Sequence, residues 1–149
     1  MDILDHLREI VGQTHVLNGD DAERYSADWL KQYHWTPLAV VRPGSTDEVA
    51  RVVAFADQNK LSIVPMGGNT GLTGATRAED CIVISLERMS KIREIRKDAK
   101  IAIVEAGVIL SKVHSAVDEH DLVFPLTFGA KGSATIGGVI GTNAGGSNV

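Results

Sequence analysis

One cysteine, no surplus of basic residues and no long apolar run: three shortages bound what this 149-residue chain can be. Cys81 alone cannot form an internal disulfide, and its place inside the apolar run CIVISL suits a buried, inert thiol in a reducing cytoplasm. Lysine and arginine number 15 against 19 aspartates and glutamates, giving a net charge of -4 and a pI near 5.7, with the cations dispersed among carboxylates. Nucleic acid is therefore not an expected partner. No run approaches the roughly 18 apolar residues of a transmembrane helix, and the acidic opening MDILDHLREI is not a secretory signal. Motifs are missing too. There is no GxGxxG, no lysine placed after a glycine as in the Walker loop and no GxSxG, which argues against a Rossmann site, nucleotide triphosphate hydrolysis and a serine hydrolase. The histidines (His6, His15, His34, His114, His120) form no HExxH or HxH and have no cysteine partner, so no metal site is expected.

What remains is the length of a single domain with 44% apolar residues, enough for a core without staples. Ile3, Leu4, Leu7, Ile10 and Val11 recur at helical spacing behind Asp2 and Asp5. The stretch Thr14 to Pro37 reads as an irregular packed arm carrying Tyr25, Trp29, Tyr33 and Trp35, whose aromatics are expected in the core rather than against a cofactor. LAVV then reads as a strand. The helix TDEVARVVAFADQNK follows, with Thr46 as N-cap and Val49, Val52, Val53 and Ala56 as the buried stripe. LSIVPM reads as a strand leading into the first glycine loop, and CIVISL and IAIVEAGV read as buried strands, the last pairing with KIREIRKD in a hairpin turning at Asp98 to Lys100. A second helix, ILSKVHSAVDEHD, presents Leu110, Val113, Val117 and Leu122. No repeat or low-complexity linker divides the chain, so one αβ domain is the economical reading.

Glycine is concentrated in two nearly uncharged loops, Pro65 to Ala75 (PMGGNTGLTGA) and Gly129 to Gly146 (GAKGSATIGGVIGTNAGG), which hold eleven of the fifteen glycines. In the first, consecutive amides around Gly67, Gly68, Asn69, Thr70 and Gly71 can converge into an anion-binding concavity, and no charge is present to hold the anion otherwise. A purely structural turn between two strands stays open as the alternative. In the second, Gly137, Gly141 and Gly145 recur at spacing four, a smooth face if residues 135–143 are helical, with Ser133 or Thr135 as cap and N-terminal amides that favour an anion.

PMGGNTGLTG together with PLTFGAKGSATIGGVIGTNAGG resembles the FAD-binding domain of the vanillyl-alcohol oxidase and p-cresol methylhydroxylase (PCMH) superfamily. Within that superfamily, the GAKGS and TNAGG segments look most like flavin-dependent D-2-hydroxyacid dehydrogenases of the D-2-hydroxyglutarate and D-lactate type. YSADWL and RPGSTDEV extend the similarity to most of the chain from Tyr25 onward. The resemblance implies an α+β fold of PCMH type: residues 1–37 as helix and arm, 38–124 as an α/β subdomain, and 125–149 as the start of a second FAD subdomain. It implies FAD as cofactor, with its pyrophosphate wrapped by Gly67, Gly68, Asn69, Thr70, Gly71 and Leu72. The pyrophosphate and flavin side would be lined by Pro125, Gly129, Ala130, Gly132, Ser133, Ile136, Gly137, Gly138, Asn143 and Gly145.

Relatives that bind flavin covalently do so through a histidine after the paired glycines; Asn69 stands there, so FAD is expected to be non-covalent. The implied reaction oxidises a D-2-hydroxyacid to the 2-oxoacid by hydride transfer to flavin N5, with electrons leaving to an acceptor. No catalytic residue is assigned in this chain: family members continue past the position of Val149 with the remaining FAD contacts and a substrate domain. The 149 residues alone are expected to be inactive, and apolar surface left open by missing neighbours is expected to drive self-association. The alternatives are another FAD-linked oxidase or reductase of the same fold, disfavoured by GAKGS, and a non-catalytic ligand-binding module.

Overall fold

Short β-branched runs form the first layer, and their alternation sorts the two faces of the sheet into two separate cores. The computed structural model describes residues 2–147; Met1 and residues 148–149, the outer ends of the 1–37 and 125–149 segments, lie outside the described residues. Strands β1 (Val16–Leu17), β2 (Ala39–Val41), β3 (Ile63–Met66) and β4 (Ile82–Ser85) form a sheet in the order β1-β2-β4-β3. β1 is antiparallel to β2 and the other pairs are parallel. Because side chains alternate along a strand, Ala39, Val41, Ile82 and Ile84 meet α1 (Ile3–Val11) and α2 (Thr46–Gln58) on one face. Val40, Val64 and Val83 meet Ala22, Tyr25 and Trp35 of the arm on the other.

Helix α1 follows its sequence pattern and buries Leu7, Ile10 and Val11. Helix α2 corrects two expectations. Its N-cap is Ser45, not Thr46: the Ser45 hydroxyl accepts from the Glu48 amide at 3.2 Å, while the Glu48 carboxylate accepts from Gly44 N at 2.7 Å. Val53 is 45% exposed, because the stripe runs through Val52 and Ala56 and is flanked by Phe55, which stacks on His6 of α1 with ring centroids 4.4 Å apart.

The arm has more order than its irregular sequence suggests. It contains β1 and two 3-10 turns, Gln13–His15 and Gly19–Tyr25, and a single bridge joins Ala27 to His34. Tyr25 and Trp35 enter the core, whereas Trp29 and Tyr33 stand about half exposed on a turn whose Asp28 carboxylate accepts from the Tyr33 amide at 2.8 Å.

Strands β5 (Ile92–Arg96) and β6 (Ile101–Val104) form the expected antiparallel hairpin, with Lys100 in a left-handed turn conformation. β6 is not the buried strand its composition suggested. Among the described residues it pairs with β5 alone, and Ile101 and Ala102 are exposed. The hairpin turns Ile92, Ile95 and Val104 onto a core built with α3 (Leu110–Asp118) and α4 (Ile136–Gly141). That core draws on residues from both sides of position 124, Val108 to Val117 as well as Leu126 to Val139.

Three groups make the fold acid-sensitive. Burial first, then the positive charges of Arg88 and Arg42, hold the His15 imidazole below its ordinary value, and its Nδ1 is buried without a hydrogen-bond partner. Asp28 is depressed by the amides of its turn, Tyr33 first; Glu105 is depressed by the Lys91 amide and then by Arg93. A depressed folded pKa means that the unfolded chain binds the proton more tightly, so stability is present above the unfolded value and lost as pH falls through the folded one. The melting temperature is expected to start falling below the ordinary histidine value of 6.5 and to fall again in the carboxylate range. His15→Gln should remove the first decline in thermal melts and leave the second.

Candidate functional site

The first glycine loop leaves the carboxyl end of β3, on the side where open α/β sheets hold their ligands. Among the described residues, none of the backbone N–H groups from Gly68 to Thr76 donates a hydrogen bond to another protein group. Only Arg77 N closes back, onto Gly74 O at 3.1 Å. Such a run of free amides is either solvated or reserved for an acceptor. Asn69 and Gly74 take positive φ, 51° and 70°, which turns the run on itself. The Asn69 side chain is committed elsewhere: Nδ2 donates to Ala27 O at 2.8 Å and Oδ1 accepts from the Thr76 hydroxyl at 2.7 Å.

The second loop is constructed differently, because its amides are mostly spent. Lys131 N donates to Phe128 O, and Ser133 N and Ala134 N both donate to Ala130 O. Thr135, not Ser133, caps α4, accepting from Gly138 N at 3.3 Å. Ile136 N goes to Val108 O at 2.9 Å and Gly137 N to Ala106 O at 2.8 Å. The helix amides expected to attract an anion are thus occupied. The helix also stops at Gly141, so Gly137, Gly141 and Gly145 do not share a helical face. Gly137 instead permits a close crossing: a Cβ there would lie 2.8 Å from that of Ala106. One loop is a cradle of free donors and the other is a wall.

The two meet around a cleft of about 460 Å3 that, among the described residues, no charged side chain lines. Of the residues that the resemblance implies for FAD, Gly67, Gly68, Asn69, Thr70, Gly71, Leu72, Gly138 and Gly145 line this cleft. The remaining candidates lie elsewhere. Gly129, Ala130, Gly132 and Ser133 form the turn that delivers Ala134 to the cleft, and the Ser133 carbonyl abuts Gly68. Ile136 sits in the core built with α3 and the hairpin, Gly137 faces Ala106, and Pro125 borders a separate depression beside His114. Asn143, at φ 50°, turns the chain between the lining residues Thr142 and Ala144. Thr76, Phe128 and Thr142 were not singled out, and Thr135 only as a helix cap, yet all four line the cleft. Phe128, Thr135 and Thr142 stand inside the second quoted motif, whereas Thr76 falls just past the end of the first glycine loop, where nothing marks it.

This geometry fits a dinucleotide pyrophosphate held by amide dipoles in an uncharged, partly apolar cleft. Among the described residues, no group of three or more His, Cys, Asp or Glu side chains is placed to hold a metal ion, and no helix is long and apolar enough to cross a membrane.

The fold is shared with two solved structures. An alkyldihydroxyacetonephosphate synthase structure superposes with a TM-score of 0.83 at 19% identity, covering 98% of this chain and 33% of that one. p-Cresol methylhydroxylase superposes with a TM-score of 0.73 at 24% identity, covering 94% and 28%. At these identities the likeness shows the fold. The family comes from the sequence: residues 37–149 match the FAD binding domain, and the chain belongs to that family. Among curated relatives, D-2-hydroxyglutarate dehydrogenase of Xanthomonas citri pv. viticola is 44% identical over 130 residues, covering 87% of this chain and 28% of its own length. D-2-hydroxyglutarate–pyruvate transhydrogenase of Saccharomyces cerevisiae is 35% identical over 149 residues, covering 97% and 30%. The chain thus spans less than a third of the length of these relatives.

Proposed function

We propose that this chain supplies the FAD-binding part of a flavoprotein that oxidises a D-2-hydroxyacid, of the D-2-hydroxyglutarate or D-lactate type, to the 2-oxoacid. The observation that carries the cofactor is the run of free amides from Gly68 to Thr76 against an uncharged wall. The names of the relatives support the substrate class. FAD, when bound, accepts the hydride and passes electrons to an acceptor. The part played by this chain is to bind the diphosphate through amide dipoles, to exclude water from the apolar side of the cleft at Phe128 and Val139, and to orient the flavin. The cofactor is non-covalent in this reading, because Asn69 offers a carboxamide already bonded to Ala27 and Thr76. We place the protein in the cytoplasm, in keeping with the lone free thiol Cys81. The test is anaerobic addition of D-2-hydroxyglutarate and D-lactate to the FAD-loaded full-length protein. Bleaching of the oxidised-flavin absorbance supports the reading, as does release of the flavin on denaturation; an unbleached flavin with every D-2-hydroxyacid sinks it.

For the 149 residues alone, FAD binding is expected to be weak and turnover absent. An apolar groove of about 900 Å3 between the hairpin and α4, with Ile101, Val123 and Ile140 strongly exposed on the same side of the fold, is expected to drive self-association. Sedimentation velocity should show concentration-dependent species, and calorimetry should show no tight stoichiometric FAD complex.

A further inference from the structure

The Asn69 side chain makes two hydrogen bonds within the protein, more than any other polar side chain of the glycine loop. Ala27 O can only accept, so Nδ2 must face it; Oδ1 then faces the Thr76 hydroxyl, which must donate. One carboxamide therefore ties together three segments: the arm at Ala27, the loop's left-handed turn at Asn69 and the loop's far end at Thr76. The span between Asn69 and Thr76 lies inside the run of free amides, and no other hydrogen bond from a described residue crosses it. Without the pin, nothing but the Gly74 to Arg77 turn would hold those amides in one orientation.

The arm end is itself firm. Trp35 Nε1 donates to Tyr25 O at 2.8 Å, Trp35 N donates to Ser26 O at 3.0 Å, and Ala27 bridges to His34.

We infer that Thr76 and Asn69 are positioning residues for the bound diphosphate: their hydrogen bonds to each other and to Ala27 hold the loop amides converged before the ligand arrives. This rests on the FAD reading given above. The pin makes no contact of its own with the anion and acts by preorganisation, lowering the ordering cost that a flexible loop would otherwise impose on binding.

Thr76→Val removes the hydroxyl at nearly constant shape, whereas Thr76→Ser keeps it. In the full-length protein, stripped of flavin and titrated with FAD, Thr76→Val is expected to bind about tenfold more weakly, the equivalent of one lost hydrogen bond near 1.4 kcal/mol. Thr76→Ser is expected to stay within about twofold of wild type. Hydrogen exchange of the ligand-free protein supplies the readout that a merely stabilising role would not move: amides 68–76 should exchange faster in Thr76→Val while those of β3 and β4 keep their protection. Equal FAD affinity in Thr76→Val and wild type overturns the inference, as does a Thr76→Ser protein as weak as Thr76→Val, or exchange that rises uniformly across the sheet. A wild-type protein that takes up no FAD overturns the cofactor reading and this role with it, an outcome distinct from FAD binding that ignores the Thr76 hydroxyl.

Discussion

Gly68→Ala is expected to abolish FAD binding and to destabilise the fold by about 2–3 kcal/mol, the upper part of the range for forced overpacking. A Cβ at Gly68 would overlap the Ser133 carbonyl oxygen, lie 2.7 Å from its carbon and stand 3.2 Å from Ala134 Cα. All three are backbone atoms in a turn closed by Ser133 N and Ala134 N on Ala130 O, so no rotamer change relieves the clash. Cradle and wall must separate, and a misplacement of about 1 Å in a preorganised site can cost on the order of a hundredfold. Neighbouring glycines provide internal controls. At Gly67 the Cβ would collide with the Thr135 hydroxyl, a side-chain group that can turn away at the expense of its cap on Gly138 N. At Gly71 nothing lies within 4 Å and φ is not positive. Melting temperatures should therefore fall in the order Gly68→Ala, Gly67→Ala, Gly71→Ala, with the last near wild type. FAD titration of the three variants should show the largest loss at Gly68. A Gly68→Ala protein as stable as Gly71→Ala would mean that the two loops are not held in contact.

The parts of the fold legible in the sequence are those set by local pattern. The 3.6-residue recurrence of Leu7, Ile10 and Val11 gives α1 its bounds, and the strands come from short β-branched runs between turn signals. Errors arose where a neighbour decides. Whether Ser45 or Thr46 caps α2 depends on where the Glu48 carboxylate folds back. β6 carries the composition of a buried strand, but its exposure depends on what lies beside it, which composition does not encode. The site divides in the same way. Glycine clustering located the free amides of the first loop, since a run without side chains or charge has few other uses. The second loop looked equivalent in sequence, yet Ala106 and Val108 occupy its helix amides from about thirty residues away, a pairing no local motif announces. Thr76 escaped notice for a related reason: its partner is Asn69 across a turn, and a threonine at the end of a glycine-rich loop looks the same whether it pins the loop or faces water.

Glu87→Ala is expected to loosen the arm from the sheet and to cost about 2–3 kcal/mol, below the roughly 3–5 kcal/mol of a fully buried broken pair. Glu87 follows β4 and gathers donors more than forty residues away in the chain. Its carboxylate pairs with Arg24, accepts from the Tyr25 hydroxyl at 3.0 Å, and accepts from Arg42 Nη1 at 3.2 Å just after β2. Its side chain is 30% exposed and that of Arg42 23%, which is why the estimate sits under the buried limit. Removing the carboxylate strands Tyr25 OH in a residue only 3% exposed and leaves Arg42, whose Nε already lacks a partner, without its counter-charge. Glu87→Gln keeps an acceptor but not the charge and should fall between wild type and alanine in urea denaturation. Tyr25 supplies a pH signature. Burial first, then the Glu87 charge and hydrogen bond, raise its pKa above the ordinary value of 10.0. A raised folded pKa gives stability that is complete below the unfolded value and is lost as pH rises through the folded one, so wild type should lose stability on that alkaline leg. In Glu87→Ala the leg should shrink but persist, because burial remains. A Tyr25→Phe and Glu87→Ala double-mutant cycle should give a coupling energy of roughly 0.5–3 kcal/mol. Because the arm also carries Ala27, the anchor of Asn69, FAD affinity should fall in Glu87→Ala even though Glu87 does not line the cleft. Unchanged affinity alongside lost stability would show that arm and glycine loop are mechanically independent.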